Sequence, residues 1–406
     1  MIRGPWSDGV PDTWDIRPLR SEFRRAKTLG DGTEELLSVY RDYGVIPKSS
    51  RDDNYNKPSE DMSKYQRVSA GDLVVNKMKA WQGSLGISAY DGIVSPAYFV
   101  FKATGHIDPR FGHYLLRSSE YAAHMAAISS GIRPNQWDLD PMQFAATPLL
   151  VPPSTQQRAI ADYLDRETAQ IDAFIAKNEQ LIALLTERRV SSMVEAIGLH
   201  DTIPLKRLVQ PTRPLTYGIL QCGAPVEDGV PYIGPSDLPG EGESPDLSSL
   251  RRTTHEIASA YGRSVLTGGD IVVSIGPAFG RVGLISDDLS GANLTQDTVR
   301  VATVPGKIDA NYLVWVLSSR IADDFWDYQI LGATFRRLNL GTLGETPIPY
   351  PPLADQMRIA DEVAQVVARI DDAIGVAQRT IELARERRVA LISAAVTGKV
   401  DVGDAA

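Results

Sequence analysis

The stretch TPLLVPPSTQQRAIADYLD at 147–165 returns as TPIPYPPLADQMRIADEVA at 346–364. A shift of 199 positions, taken without a gap, lays Pro152-Pro153 on Pro351-Pro352, Gln157 on Gln356 and Ile160-Ala161-Asp162 on Ile359-Ala360-Asp361. The same register continues to Ile171-Asp172 on Ile370-Asp371 and to Glu187-Arg188-Arg189-Val190 on Glu386-Arg387-Arg388-Val389. One unit has been duplicated, and an internal repeat decides architecture before any local pattern does.

Each copy reads as a single long helix. Ile160, Leu164, Ile171, Ile175, Asn178, Ile182 and Leu185 recur at spacings of three, four or seven, as do Ile359, Val363, Ile370, Ile374, Ala377, Ile381 and Ala384. That is a narrow apolar seam, the pattern of a helix paired with another helix. Roughly forty residues at about 1.5 Å each predict rods of about 60 Å. The proline pairs cannot lie inside a helix, so they fix both starts, with Ser154 and Gln157 suited to a capping box and Asp355 to the second start. Gly198 and Gly398 stand where each pattern stops, as helix-ending glycines do.

The 406 residues suffice for two or three domains, and 43% hydrophobic residues suit a globular chain. MIRGPWSDGVPDTW at the amino terminus has no apolar run after its charge, and no uncharged stretch is long enough to span a bilayer, which predicts a cytoplasmic protein. Cys222 is the single cysteine, so internal disulfides and cysteine-rich zinc sites are excluded. The net charge of −9 argues at first against nucleic acid. A DNA reader with this balance has to gather its cations on one face, and binds weakly alone, because phosphate neutralisation supplies most non-specific affinity.

Between the rods the globular segments repeat faintly. In residues 1–147, the stretch 19–38 is partly helical in spacing, and DDNYNKPSEDMSK at 52–64 is a turn-rich loop. SAGDLVV at 69–75 turns into a strand, residues 98–101 form another, 109–128 is a helix candidate, and SSGIRPNQWDLD at 129–140 reads as a loop. In residues 201–346, TGGDIVVSIGPAFGRVGLIS at 267–286 stands where SAGDLVVNKMKAWQGSLGIS stood. Residues 311–329 replace the helix and LGATFRRLNLG at 331–341 the second loop. The rods match while the loops diverge.

The usual catalytic parts are absent. There is no GxxxxGK[ST], no GxSxG, no Asn-Pro-Pro-aromatic motif and no lysine two places after an acidic residue. His106, His113, His124, His200 and His255 lack partners at ligand spacing, so they read as structural or solvated. GPAFG at 276–280 reads more readily as a hairpin turn than as a phosphate loop. Catalysis and metal binding by this chain are not expected.

A variable domain, a long helix, a second variable domain and a second long helix together resemble the specificity subunit of type I restriction-modification enzymes, the HsdS family. The resemblance spans the whole chain. Its most specific pieces are PPSTQQRAIADYLD and PPLADQMRIADEV, the Ile-Asp and Glu-Arg-Arg steps of each rod, and LISAAVTGKVDV at 391–402. NKMKAWQGS, GIVSPAYFVFK and GANLTQDTVRV look like target-recognition segments of that family. The resemblance implies an α+β fold with two target-recognition domains, at 1–147 and 201–346. Long-helix spacers at 148–200 and 347–402 would pack as an antiparallel coiled coil with a pseudo-twofold internal repeat, leaving a tail at 403–406. It implies a non-catalytic subunit that reads an asymmetric bipartite target in double-stranded DNA. Its implied partners are two methyltransferase subunits and a restriction subunit. S-adenosylmethionine, ATP and Mg would then sit on those partners.

Candidate readers follow from side-chain chemistry, since Lys and Arg pair with phosphates or guanine edges and Asn and Gln with adenine. In the first domain these are Lys77, Lys79, Trp81 and Gln82 in one loop, with Arg133, Asn135, Gln136 and Trp137 in the other. The indoles serve equally well as core. The second domain offers Arg281, Asn293, Gln296, Thr334, Arg336 and Arg337, with Tyr217 a weaker candidate. Arg188, Arg189, Arg387 and Arg388 occur in both rods, which suits partner docking or backbone contact as well as helix-end ion pairing. A structural adaptor that holds two protein-binding domains on a coiled coil explains the rods and the charge equally. It leaves unexplained why cationic and aromatic loops occupy matching places.

Overall fold

The computed structural model describes residues 9–41, 43–51, 61–133, 136–330, 336–400 and Val402. Both rods are continuous helices of 44 residues, Ser154–Ile197 and Leu353–Val396. Each starts directly after its proline pair, and Gly198 and Gly398 take φ of 71° and 74° just past the ends, a conformation that favours glycine. The chain divides into two compact units, residues 1–178 with 379–406 and residues 179–378. Each unit thus holds part of both long helices.

In the first unit Ile160, Ala161 and Leu164 share a core with Ala395 and Val396, while Asp172 meets Arg388, so the helices run antiparallel. In the second unit Met193 and Ile197 share a core with Val363 and Val367, and Arg189 meets Asp371, again antiparallel. The two ion pairs are images of each other under the repeat, since Arg388 corresponds to Arg189 and Asp172 to Asp371. That accounts for the Ile-Asp and Glu-Arg-Arg steps: each step is one partner of a pair made twice.

The globular parts share one plan. A four-stranded antiparallel sheet in the first unit runs Phe23–Ala26, Tyr98–Ala103, Leu73–Asn76, Leu85–Ile87. The second has Thr216–Tyr217, Thr298–Val301, Ile271–Ser274, Val282–Leu284 in the same order. Strands Leu73–Asn76 and Ile271–Ser274 are apolar up to their last residue because both faces are covered. Side chains alternate across a strand, so Leu73 and Val75 enter the core shared with the long helices while Val74 joins Leu37, Val39, Val45 and Val94. Ile271 and Val273 likewise face the helices, and Val272 packs with Ile233, Leu238 and Leu266. The shared Gly-Asp before this strand closes the entering turn: Asp72 accepts from the Ser69 N–H at 2.6 Å and Asp270 from the Thr267 N–H at 2.8 Å.

The repeated TP…PPxxxQ element fastens sheet domain to helix. Gln157 accepts from the Asp108 N–H at 2.7 Å and donates to the Pro152 carbonyl at 2.8 Å; Gln356 does the same with Asp309 and Pro351 at 2.9 Å each. Its amide is therefore committed to the domain, and the capping box expected with Ser154 is replaced by this tether. Thr147 takes a contact from His124 at 3.2 Å, and Thr346 accepts from the Trp326 indole N–H at 2.8 Å.

Three local expectations are corrected. Residues 19–38 hold only a four-residue helix, Leu19–Glu22, followed by strands Phe23–Ala26 and Leu37–Tyr40, because pairing with distant strands overrides local spacing. The single helices at 109–128 and 311–329 are each two, Pro109–Arg117 with Ser119–Ala127 and Ala310–Leu317 with Arg320–Gln329. Extended Ser118 and Ser319 interrupt them, and the Ser319 hydroxyl caps the following helix. The loop at 129–140 is a hairpin, Ser129–Arg133 with Gln136–Leu139. Most of the loop at 52–64 lies outside the described residues. Among the described residues no helix is long and apolar enough to cross a membrane, and no group of three His, Cys, Asp or Glu is placed to hold a metal ion.

Candidate nucleic-acid interface

In each unit the central strand ends in a loop that meets the second candidate segment. In the first, strand Leu73–Asn76 runs into a turn and the short helix Ala80–Gln82, which closes on Gly83 at φ 84°. The Leu139 N–H donates to the Lys77 carbonyl at 3.0 Å, tying the hairpin to this loop, and Trp81 and Trp137 stack with ring centroids 5.0 Å apart at 52°. The structure thus brings together the two segments that the sequence singled out. Lys79 is exposed with Met78 beside it, and Lys77, Trp81, Gln82 and Trp137 are half-buried. The buried Trp81 N–H has no hydrogen-bond partner within the described residues. The backbones of Arg133 and Gln136 are register partners at the hairpin's end, and Asn135 lies outside the described residues.

In the second unit the GPAFG stretch is a hairpin turn. Ser274 organises it, donating to the Ala278 carbonyl at 3.0 Å and accepting from the Arg281 N–H at 2.9 Å. The Leu338 N–H donates to the Ile275 carbonyl at 3.0 Å, which clamps the segment carrying Arg336 and Arg337 to this turn. The Arg336 guanidinium lies 5.6 Å over the Phe279 ring and pairs with Asp327 at 2.5 Å. Phe279 in turn rests edge-on against buried Trp326. Arg337 pairs with Asp297 at 3.1 Å and donates to the Gln296 carbonyl at 2.9 Å. Both arginines are exposed yet held, which limits the freedom of each guanidinium.

Arg281 is exposed and donates to the Leu238 carbonyl at 3.1 Å, and Gln296 is half-buried beside Arg337. Tyr217 is exposed on its strand. Thr334 lies outside the described residues. Asn293 is corrected: it is fully buried, accepts from the Ser264 hydroxyl and the Leu294 N–H, and donates to the Ala258 carbonyl at 3.3 Å. Its amide holds a loop in place and has no face open to a ligand.

The helix arginines separate into two kinds. Arg189 and Arg388 bind carboxylates of the facing helix, so their recurrence reflects helix pairing. Arg188 and Arg387 are exposed; Arg188 lies 3.5 Å from Glu195, and Arg387 rims an apolar groove with Ile171, Phe174, Leu383 and Ala384. Phe174 and Leu383 are 48% and 64% exposed there. Under the repeat Leu383 corresponds to Leu184, which is 63% exposed. The same apolar surface position is therefore presented twice.

Sequence reading missed the supports. Asp297 and Asp327 look like ordinary acids, and only their places beside the turn show that they hold Arg337 and Arg336. Arg51, 4.6 Å from the Tyr43 ring and 5.8 Å from that of Tyr40, forms a further cationic and aromatic cluster. Tyr40 and Tyr43 stand close together in VYRDYG at 39–44, but Arg51 lies outside that stretch, so no local pattern signalled the cluster.

The geometry is that of a duplicated α+β sheet domain that carries cationic and aromatic loops, with each copy packed on paired helices. Residues 226–375 match the family described as the type I restriction modification DNA specificity domain. The chain is 29% identical over 251 residues to the specificity subunit of type I restriction enzyme EcoBI from Escherichia coli, covering 55% of this chain and 52% of that one. With the EcoKI specificity subunit of Escherichia coli strain K12 it shares 21% identity over 210 residues, covering 47% and 43%. The chain thus spans about half the length of the curated relatives it matches. A chain solved in a study of complex assembly and conformational transition of the type I R-M system aligns with a TM-score of 0.69 at 14% identity, covering 96% of this chain and 99% of that one. The HsdS subunit of Thermoanaerobacter tengcongensis aligns with 0.55 at 15% identity, covering 98% and 100%. These two likenesses establish the fold. The chain is similar to type I restriction specificity subunits, and its residues 226–375 match the DNA specificity domain described for them.

Proposed function

We propose that this chain is the target-reading subunit of a type I DNA methyltransferase or restriction assembly, and that its two units read the two unlike halves of a bipartite target. The observation that carries this is the contrast within the repeat. The sheets, the glutamine tethers and the helix ion pairs recur, while the loop surfaces differ: two indoles and lysines in one unit, two held arginines, one of them over a phenyl ring, in the other. Equal frames with unequal loops suit half-sites that differ, so an asymmetric target follows and a palindrome does not. The acidic balance of the chain is compatible with partner subunits that supply further cations.

Partner docking belongs to the same reading. Exposed Leu184 and Leu383, related by the repeat, favour two copies of one partner, each covering one apolar face, and methyltransferase subunits carrying S-adenosylmethionine fill that role. The test is to co-express the chain with an adenine methyltransferase encoded beside it and map methylated adenines. An asymmetric two-part motif is the expected result. A stable complex that methylates without any motif would sink the reading and leave a protein-binding adaptor.

A further inference from the structure

We infer that residues 238–243 form a strut between the long helix and the reading turn of the second unit, and that Arg189 and Glu241 lock it as positioning residues for target spacing. This rests on the proposed reading of a two-part target at fixed separation. Arg189 is 16% exposed in its side chain and grips two carboxylates at once. Its Nη1 donates to Glu241 Oε1 at 2.6 Å and its Nη2 to the other Glu241 oxygen. Its Nε and Nη2 also reach Asp371 at 2.7 and 3.0 Å. A planar guanidinium with two forks engaged has little freedom left.

Glu241 is held in an unusual backbone state. It is the non-glycine residue with positive φ among the described residues, at 51°, between Gly240 at 112° and Gly242 at 84°. A non-glycine side chain in that region is disfavoured and persists where surrounding contacts fix it. Nothing so tight is needed merely to close the loop, since glycine would serve at lower cost.

From Glu241 the connection runs straight to the reading turn. The Gly242 N–H donates to the Val282 carbonyl at 2.9 Å, and the Leu284 N–H donates to the Gly242 carbonyl at 3.2 Å, so the segment is bonded along strand Val282–Leu284. That strand leaves the turn carrying Phe279 and Arg281, and the Arg281 guanidinium returns to the Leu238 carbonyl at 3.1 Å. Leu238 is fully buried, and a Cβ on Gly283 would come within 2.8 Å of its side chain, so the strut is seated on the sheet and cannot slide.

The repeat supplies the contrast. Arg388, the counterpart of Arg189, has Asp172 as its one carboxylate partner among the described residues. The first unit is braced elsewhere, through Arg110 to Asp162 and Asp165 at 2.7 and 2.8 Å and Tyr114 to Asp165 at 2.8 Å. The strut therefore belongs to the second unit.

The test measures methylation by the assembled complex on DNAs whose half-sites are separated by graded spacers. Glu241→Asn keeps a residue that tolerates positive φ and removes the carboxylate; Arg189→Lys keeps a cation and the Asp371 contact but cannot make two forks. Both variants are expected to retain the half-site sequences while discrimination against spacers one base pair longer or shorter falls about tenfold. Arg388→Lys is expected to leave the spacer profile unchanged. An unaltered profile in both Glu241→Asn and Arg189→Lys overturns the inference, as does equal relaxation in Arg388→Lys. A wild-type complex with no two-part motif would instead defeat the underlying reading, which separates the two failures.

Discussion

The two candidate surfaces stand at equivalent places on the two four-stranded sheets and are made of different chemistry. In the first unit the surface is built on the tilted contact of Trp81 with Trp137, with Lys77 and Lys79 on a loop tied to the hairpin. In the second it is built on Arg336, pinned by Asp327 and carried on Phe279, and Arg337, pinned by Asp297. The frame is fixed by what both units need, a buried central strand and a tether to the helices. The loops differ between their anchors, since Ala80 and Leu139 in the first unit and Ile275 and Leu338 in the second are buried in the cores while the residues around them are more open. Duplication has kept the frame and let the loop chemistry diverge.

The sharpest way to break the comparison is to remove a support from one unit only. Trp326 is fully buried in the second unit, bonds Thr346 and backs Phe279; the first unit meets Thr147 through His124 instead. Trp326→Ala should cost about 3–5 kcal/mol of the second unit's stability. Hydrogen exchange in denaturant should show amides of residues 201–346 opening early while those of the first unit keep their protection. Equal loss in both would mean that the units do not fold separately.

Acid should act on the other unit. Five residues after its capping aspartate, the first unit places His113 where the second places Val314. Burial, then the neighbouring Arg117 charge, push the His113 pKa down from 6.5 to about 4. Its partners match a neutral ring, with Nε2 facing an Arg117 donor at 2.6 Å and Nδ1 facing the Ile87 carbonyl at 3.2 Å. A depressed pKa means that the folded unit prefers the neutral form, so this stability is intact above pH 6.5 and is lost as pH falls toward 4. The loss amounts to about 3 kcal/mol. Urea midpoints followed in the first unit should fall across that window, and those of the second should not fall with them through this group.

Much of this contrast was legible in the chain. The proline pairs, the glycine ends and the seam gave the rods, because each is a local constraint repeated 199 residues apart. The strands with Val74-Val75 and Val272-Val273 were legible for the same reason. Partners across long separations were not: Arg189 to Asp371 spans 182 residues and Arg388 to Asp172 spans 216, so the repeated steps were visible while their pairing was not. Asn293 misled because an amide in a polar-looking segment has the same letters whether it serves a ligand or a buried loop. The serines that split the helices at 118 and 319 carried a capping signal that a continuous helical spacing outweighed.

A middle-sized effect should come from the second unit's arginines. Arg336→Ala and Arg337→Ala should each weaken binding of the intact complex to its target by about 1–3 kcal/mol. A base contact would relax preference at one position of one half-site. A phosphate contact would weaken all sequences alike and lower the salt slope by about one. Anisotropy titrations against half-site variants at two salt concentrations separate these outcomes. Loss of preference in the half read by the first unit would break the assignment of one unit to each half.

The finest comparison is between the two helix ion pairs that the repeat makes equivalent. Arg388 and Asp172 are both substantially exposed, so their attraction is screened and Arg388→Ala should cost about 0–1 kcal/mol. Arg189 is largely covered and serves Glu241 as well as Asp371, and hydrogen bonding to these two carboxylates lifts its pKa further above the ordinary arginine value. Arg189→Ala removes charged hydrogen bonds and leaves two carboxylates facing each other's field, so it should cost about 2 kcal/mol. Melting curves of the two variants at low and high salt decide the matter. A larger loss for Arg189→Ala that persists in salt supports unequal bracing, because a covered fork is screened less than an exposed one. Equal, salt-erased losses would mean that position in the repeat, and not the Glu241 contact, sets the strength of the pair.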